Sequence, residues 1–148
     1  MIKNVIRQLL LADTTITGKL ATYQFSNLAG VEAEPAIFTT AVIPEDAALP
    51  AIIISHTGGT AFGCRSQRGA VLGVSVQAYD DKDCSMKVLD ELGFAIWECC
   101  NRANLKIYLS AVGYDDWGCI ASPPHASGDG EGYPGYTVQV QERVLKQE

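Results

Sequence analysis

Two histidines and five cysteines are the residues that would ligate a metal or supply a nucleophile and its base. The cysteines stand at 64, 84, 99, 100 and 119, the histidines at 56 and 125. A zinc site needs close pairs, such as C-x2-C joined to H-x3-H. Here His56 precedes Cys64 and Cys119 precedes His125, at spacings that match no finger pattern. Cys99 and Cys100 are adjacent on a predicted helix, about 100° apart around its axis, a poor geometry for chelating one ion. No metal and no cofactor is expected. An odd cysteine count also argues against a disulfide scaffold, so reduced thiols are expected. Nucleophilic catalysis needs a base within hydrogen-bond reach of the nucleophile. The chain has no G-x-S-x-G elbow and no S-x-x-K. Cys119, His125 and Cys64 are the least poor catalytic candidates, and a small enzyme built on them stays as an alternative. No catalytic residue is assigned.

Other chemistry has weaker signals. Thr57-Gly58-Gly59-Thr60-Ala61-Phe62-Gly63 is glycine-rich but lacks the Lys-Ser/Thr of a phosphate loop. Gly128-Asp129-Gly130-Glu131-Gly132 lacks the ligand repeat of a calcium loop. Arg65 and Arg68 share one loop and suit an acidic partner surface. Trp97, Trp117, Tyr133 and Tyr136 fall at or beside element ends or loops, where aromatic residues serve interfaces or cap the protein's own core.

The elements that would position these residues are readable. Ile2, Val5, Ile6, Leu9 and Leu10 recur at helical spacing, so 2–12 reads as a helix. Asp13 and Thr14 offer a cap for a second short turn. Residues 26–36 look irregular. Residues 37–43 read as extended, up to Pro44. Ala51 to Ser55 reads as a buried strand after the Pro44 and Pro50 bracket, and 58–67 as a loop or the tip of a long hairpin. From Arg68 to Tyr79 the alternation is clean, with Ala70, Leu72, Val74, Val76 and Ala78 on one face. A helix is predicted over 81–102, its stripe formed by Val88, Leu89, Leu92, Ala95, Ile96, Cys99 and Cys100. Gly93 inside it costs about 1 kcal/mol relative to Ala, which a close approach by another backbone would explain. Alternation predicts strands over 104–112, 114–122 and 136–144. The proline- and glycine-rich stretch 123–135 reads as a loop. The expected fold is α+β, a mostly antiparallel sheet with one long helix packed on it and a short N-terminal helix.

The chain has 148 residues, with 11 Lys+Arg against 17 Asp+Glu and a net charge of −6. That length suits one domain, 1–148, with no linker and no repeat. Hydrophobic residues at 47% and charged residues at 19% exclude a disordered chain. A pI near 4.8 with dispersed cations argues against a dedicated nucleic-acid binder. No run approaches the roughly 18 apolar residues of a membrane span. Met1-Ile2-Lys3-Asn4 leads directly into the first helix pattern, so no signal peptide is expected.

The order of features has a resemblance. An Ile-Arg-Gln-Leu-Leu-Leu-Ala-Asp helix at 6–13 precedes the strand Leu49-Pro50-Ala51-Ile52-Ile53-Ile54-Ser55. The strand ending Val74-Ser75-Val76-Gln77-Ala78-Tyr79-Asp80, a helix, and a closing strand from Tyr136 to Val144 follow. The chain resembles the tail terminator, or tail completion, proteins of tailed bacteriophages and prophages, a group with minor tail proteins of siphophages and Mu-like relatives. The resemblance implies a homo-oligomeric ring, commonly a hexamer, on the head-proximal end of the tail tube. Such a ring ends tube polymerisation and offers a head-joining surface. It implies self, the tail tube protein and a head–tail connector or neck protein as partners, DNA passing through the ring, and a place in the host cytoplasm during assembly and then in the virion tail. A neck or connector component is the second reading. A ring subunit needs two dissimilar patches on opposite sides. The expected patches are the 58–67 loop, with Arg65 and Arg68, and the outer face of the 81–102 helix, with Trp97; Trp117 and Tyr133 are further interaction candidates.

Overall fold

A computed structural model describes residues 1–148 except 28, 29, 41, 65, 66, 85, 129–131 and 148; the side chains at 27, 62–64 and 67 also lie outside the description. In chain order the elements are α1 (Ile2–Leu11), α2 (Thr14–Thr17), β1 (Thr22–Asn27), β2 (Gly30–Pro35), β3 (Ile37–Phe38), β4 (Ala51–Cys64), β5 (Gln67–Tyr79), α3 (Met86–Cys100), α4 (Lys106–Ser110), β6 (Tyr114–Ala121), β7 (His125–Gly128) and β8 (Pro134–Lys146). The fold is α+β. The main sheet runs β3-β4-β5-β8-β6, with β7 pairing the start of β8. Every pairing in it is antiparallel except the short β3–β4 contact.

One face of this sheet carries the core. Ile52, Ile54, Val74, Val76, Ala78, Val138, Val140 and Val144 meet Val5, Ile6 and Leu10 of α1 and Leu89, Leu92 and Ile96 of α3. Alternation along the strands and helical spacing along α1 and α3 supply matching apolar surfaces, which is the condition for a two-layer domain. A smaller cluster lies beyond the β3 end. There Ala36, Phe38 and Ala51 are buried under Tyr23, Phe25, Ile43, Ala47 and Leu49. The rings of Tyr23, Phe25 and Phe38 sit 5.0–5.4 Å apart.

Arg7 joins the two clusters. Its Nε donates to Ile37 O at 2.9 Å, its Nη2 pairs with Glu34 at 2.7 Å, and its guanidinium lies 5.1 Å from the Phe25 ring centroid. Arg7→Ala is therefore expected to cost about 1 kcal/mol, mostly from the charge-assisted bonds. Hydrogen exchange should show the loss concentrated in β1 and β2, with β5 unaffected.

Several sequence expectations change. The helix predicted over 81–102 is the 15-residue α3, and it shares the sheet face with α1 and α4 instead of covering it alone. Its start is delayed because Asp80 accepts from Asp81 N and Cys84 N bonds back to Asp81 O, closing a turn. The strand expected over 104–112 is the helix α4. Leu105 and Leu109 are buried but Ile107 is 83% exposed, so the four-residue spacing and not the alternation is realised. Residues 26–36 contain most of the β1–β2 hairpin, and 123–135 contains β7. Extended structure over 37–43 shrinks to β3. In the 58–67 segment, Gly58–Cys64 and Gln67 belong to the far end of the long β4–β5 pairing, while 65 and 66 lie outside the described residues. Asp13 does cap α2, accepting from Thr15 N and Ile16 N. Gly93 is tight against side chains, not backbone: an added Cβ would meet Tyr136 at 3.3 Å and Pro124 at 3.4 Å.

Candidate interaction surface

Among the described residues, Cys119 and His125 do not come together. Cys119 is buried on β6 and faces Glu142 in register, while His125 on β7 faces Thr137. Those partners are five residues apart along β8, about 17 Å at strand rise, so Cys119 and His125 form no pair. Burial, then the charge of Glu142, pushes the Cys119 thiol well above its ordinary value, which makes it a poor nucleophile. The side chain of Cys64 lies outside the described residues. Cys84, Cys99, Cys100 and Cys119 are free thiols. Among the described residues no three His, Cys, Asp or Glu side chains gather as a metal site.

The expected interaction residues fall in separate places. Arg65 lies outside the described residues. Arg68 is exposed near the start of β5, opposite Gly63. Trp97 is half-buried against the core, and its Nε1 donates to Ala121 O at 3.1 Å. The exposed aromatic of that helix is Phe94, 52% exposed and edge-on to Trp97. Trp117 is 57% exposed within the β6 bulge between Asp116 and Cys119. Tyr133 is half-buried, with Lys82 Nζ 4.8 Å from its ring centroid. It borders an open groove of about 680 Å³ that Val42, Ile43, Pro44, Leu49 and Ile53 also line.

The strongest feature is one that alternation could not reveal. On its outer side β4 is covered by β3 only at Ile52 and Ile53. Among the described residues, no strand pairs with that side from Ile54 to Cys64. His56 to Ala61 are exposed there. A long unpaired edge is a template for another strand, usually blunted with Lys, Pro or a bulge. Here the blunting is a single irregularity between His56 and Gly58, and the edge holds no Lys or Pro.

Charge separates along the same axis. Residues 47–79 hold Arg65 and Arg68 and no acid, so this stretch is +2 and the remaining chain −8, from −6 less +2. Residues 20–46 hold Glu32, Glu34, Glu45 and Asp46 and no Lys or Arg. That acidic stretch meets the sheet at the opening of β4, since Ile52 N bonds to Ala36 O. The hairpin end lies at the other end of β4, about 40 Å away at strand rise.

No protein-family model and no curated protein matches the chain. Among solved structures, it is similar to a chain in the virion of a native gene transfer agent (GTA) particle. The TM-score is 0.64 at 12% identity, over 97% of this chain and 94% of that one. The likeness is one of fold, and it spans both chains nearly end to end.

Proposed function

We propose that this chain is a structural virion protein that caps the head-proximal end of a phage-type tail tube as a homo-oligomeric ring. The observation that carries the virion role is the near full-length fold likeness to a chain of the GTA virion. The tail-capping role and the ring rest on the resemblance in element order, and the surface supports them. Head-to-tail contacts that close into a ring need two unlike patches on one subunit. The open β4 edge with Arg68 is one, and the acidic 20–46 stretch at the opposite end of β4 is its electrostatic complement. Trp117 and Phe94 supply exposed aromatic area for the tube or the neck component.

Size-exclusion chromatography with light scattering tests the reading. The expected result is a closed oligomer, formed by the chain alone or on addition of tail tube protein, with a ring seen by electron microscopy. A strict monomer at high concentration, both alone and with the tube protein, would overturn it. Assembly only with a connector protein would favour the neck reading.

A further inference from the structure

Glu142 is fully buried on the helix-facing side of β8, and no N–H or hydroxyl donor reaches either carboxyl oxygen. Its polar neighbours are on β6: Cys119, directly opposite it in register, and Asp116, opposite Val144 two residues further along β8. Asp116 is already committed as an acceptor. Its Oδ2 takes Leu105 N–H at 2.8 Å and its Oδ1 takes Gly118 N–H at 2.9 Å. Two carboxyls in contact share a bond only if one carries a proton, and Asp116's two amide donors hold it as the anion. Glu142 must then be the neutral acid and the donor.

We propose that Asp116 and Glu142 hold one proton between them, and that this proton latches the Trp117 end of β6 and the α3–α4 connection onto β8. Asp116 sits at the centre of the latch. Through Gly118 N–H it shapes the bulge that displays Trp117, through Leu105 N–H it holds the chain entering α4, and through Glu142 it reaches the central sheet. Removing the proton sets a fully buried Glu142 anion beside the half-buried Asp116 anion, and separating β6 from β8 relieves that repulsion.

Among the described residues, no Lys or Arg forms an ion pair with either carboxyl. β6 contributes Asp116 and Cys119, β5 contributes Leu72 opposite Glu142, the α3–α4 connection contributes backbone N–H groups, and α3 contributes Cys100 near Cys119. Burial first, then the hydrogen bond to Asp116 and its charge, push Glu142 up to about 9. Burial also pushes Asp116 upward, but the bonds from Glu142, Gly118 and Leu105 outweigh it and leave Asp116 below its ordinary value. Glu142 thus keeps its proton in the folded chain and loses it in the unfolded chain above the ordinary carboxylate range. Its stabilising contribution is complete below that range and is lost as pH rises through about 9. The latch holds whether or not the chain forms a ring.

Amide hydrogen exchange of the monomeric or assembled chain, corrected for intrinsic rates, reads the latch directly. Protection across 114–121 is expected to fall at least tenfold between pH 8 and 10, while 74–78 in β5 stays protected. The isosteric Glu142→Gln variant keeps a donor for Asp116, so its profile should be flat over the same interval. A flat wild-type profile would overturn the proposal, as would an unchanged transition in Glu142→Gln, which would assign the event to a tyrosine or thiol. Carbon NMR of the wild-type Glu142 carboxyl gives a reading that needs no variant. A midpoint above 7 supports the latch, and one in the ordinary carboxylate range overturns it.

Discussion

A chain in which Phe62–Gly69 is replaced by an Asn-Gly pair is expected to fold and to weaken the proposed self-association. The register supports the design. Ala61 lies opposite Ala70, so two residues can join them as a tight hairpin turn. Everything that covers the core is kept: Ala70 still faces Val144, Leu72 faces Glu142, and Val74 faces Val140. The lost pairings are those of β4 with β5 beyond Ala61, and Gly69 with Leu145. Thermal unfolding should therefore move by only a few degrees. Association should weaken more than about tenfold, or about 1.4 kcal/mol, because the change removes both arginines of the hairpin and shortens the open edge. Light scattering at matched concentration checks this. An oligomer of unchanged size and affinity would remove the hairpin from the interface and leave the helix face or β6 to account for it.

Two neighbouring positions on α3 should separate folding from assembly. Leu92 is fully buried between the helix and the sheet, and Phe94, two residues on, is 52% exposed. Leu92→Ala removes buried methyl groups and leaves a cavity that the surroundings only partly refill. The cost should be about 2–5 kcal/mol. For a chain of this size each kcal/mol lowers Tm by about 2–4 °C, so the shift is on the order of 10 °C. Phe94→Ala gives up mainly surface contact and should change Tm by no more than about 2 °C. If α3's outer face meets a partner, Phe94→Ala weakens that contact instead. Calorimetry and light scattering on both variants separate the outcomes. A large Tm loss in Phe94→Ala would show that its edge-on contact with Trp97 supports the fold.

The core was legible because it obeys two simple periods. Ile2, Val5, Ile6 and Leu10 repeat at helical spacing, and Val74, Val76 and Ala78 alternate, so the buried faces of α1 and β5 follow from residue order. The 104–112 segment was misread because Leu105 and Leu109, four apart, satisfy a strand period and a helix period equally. Only the position of Asp116, which caps Leu105 N–H from β6, and the exposure of Ile107 decide between them. Thr22 to Phe25 reads as a short strand, because Tyr23 and Phe25 alternate with polar residues, but its partner β2 escaped notice because it is largely exposed and carries no one-sided apolar pattern. Glu142 had a visible signal. It occupies a core-facing place in the series Val138, Val140, Glu142, Val144, and that alternation marks it as a buried acid in need of a partner. The identity of the partner depends on the β6–β8 register, a long-range pairing.

The two histidines and five cysteines make the same division. Their spacing alone argued against a metal cluster, and residue order alone set the α+β class and the apolar faces. Spacing could not say that Cys119 is buried against Glu142, nor that His125 lies about 17 Å further along the sheet. Those facts depend on which strands pair and in what register. The tertiary structure also decided that β4 keeps an open edge beyond Ile53, because an edge is defined by the neighbour that is missing and not by any residue on the strand.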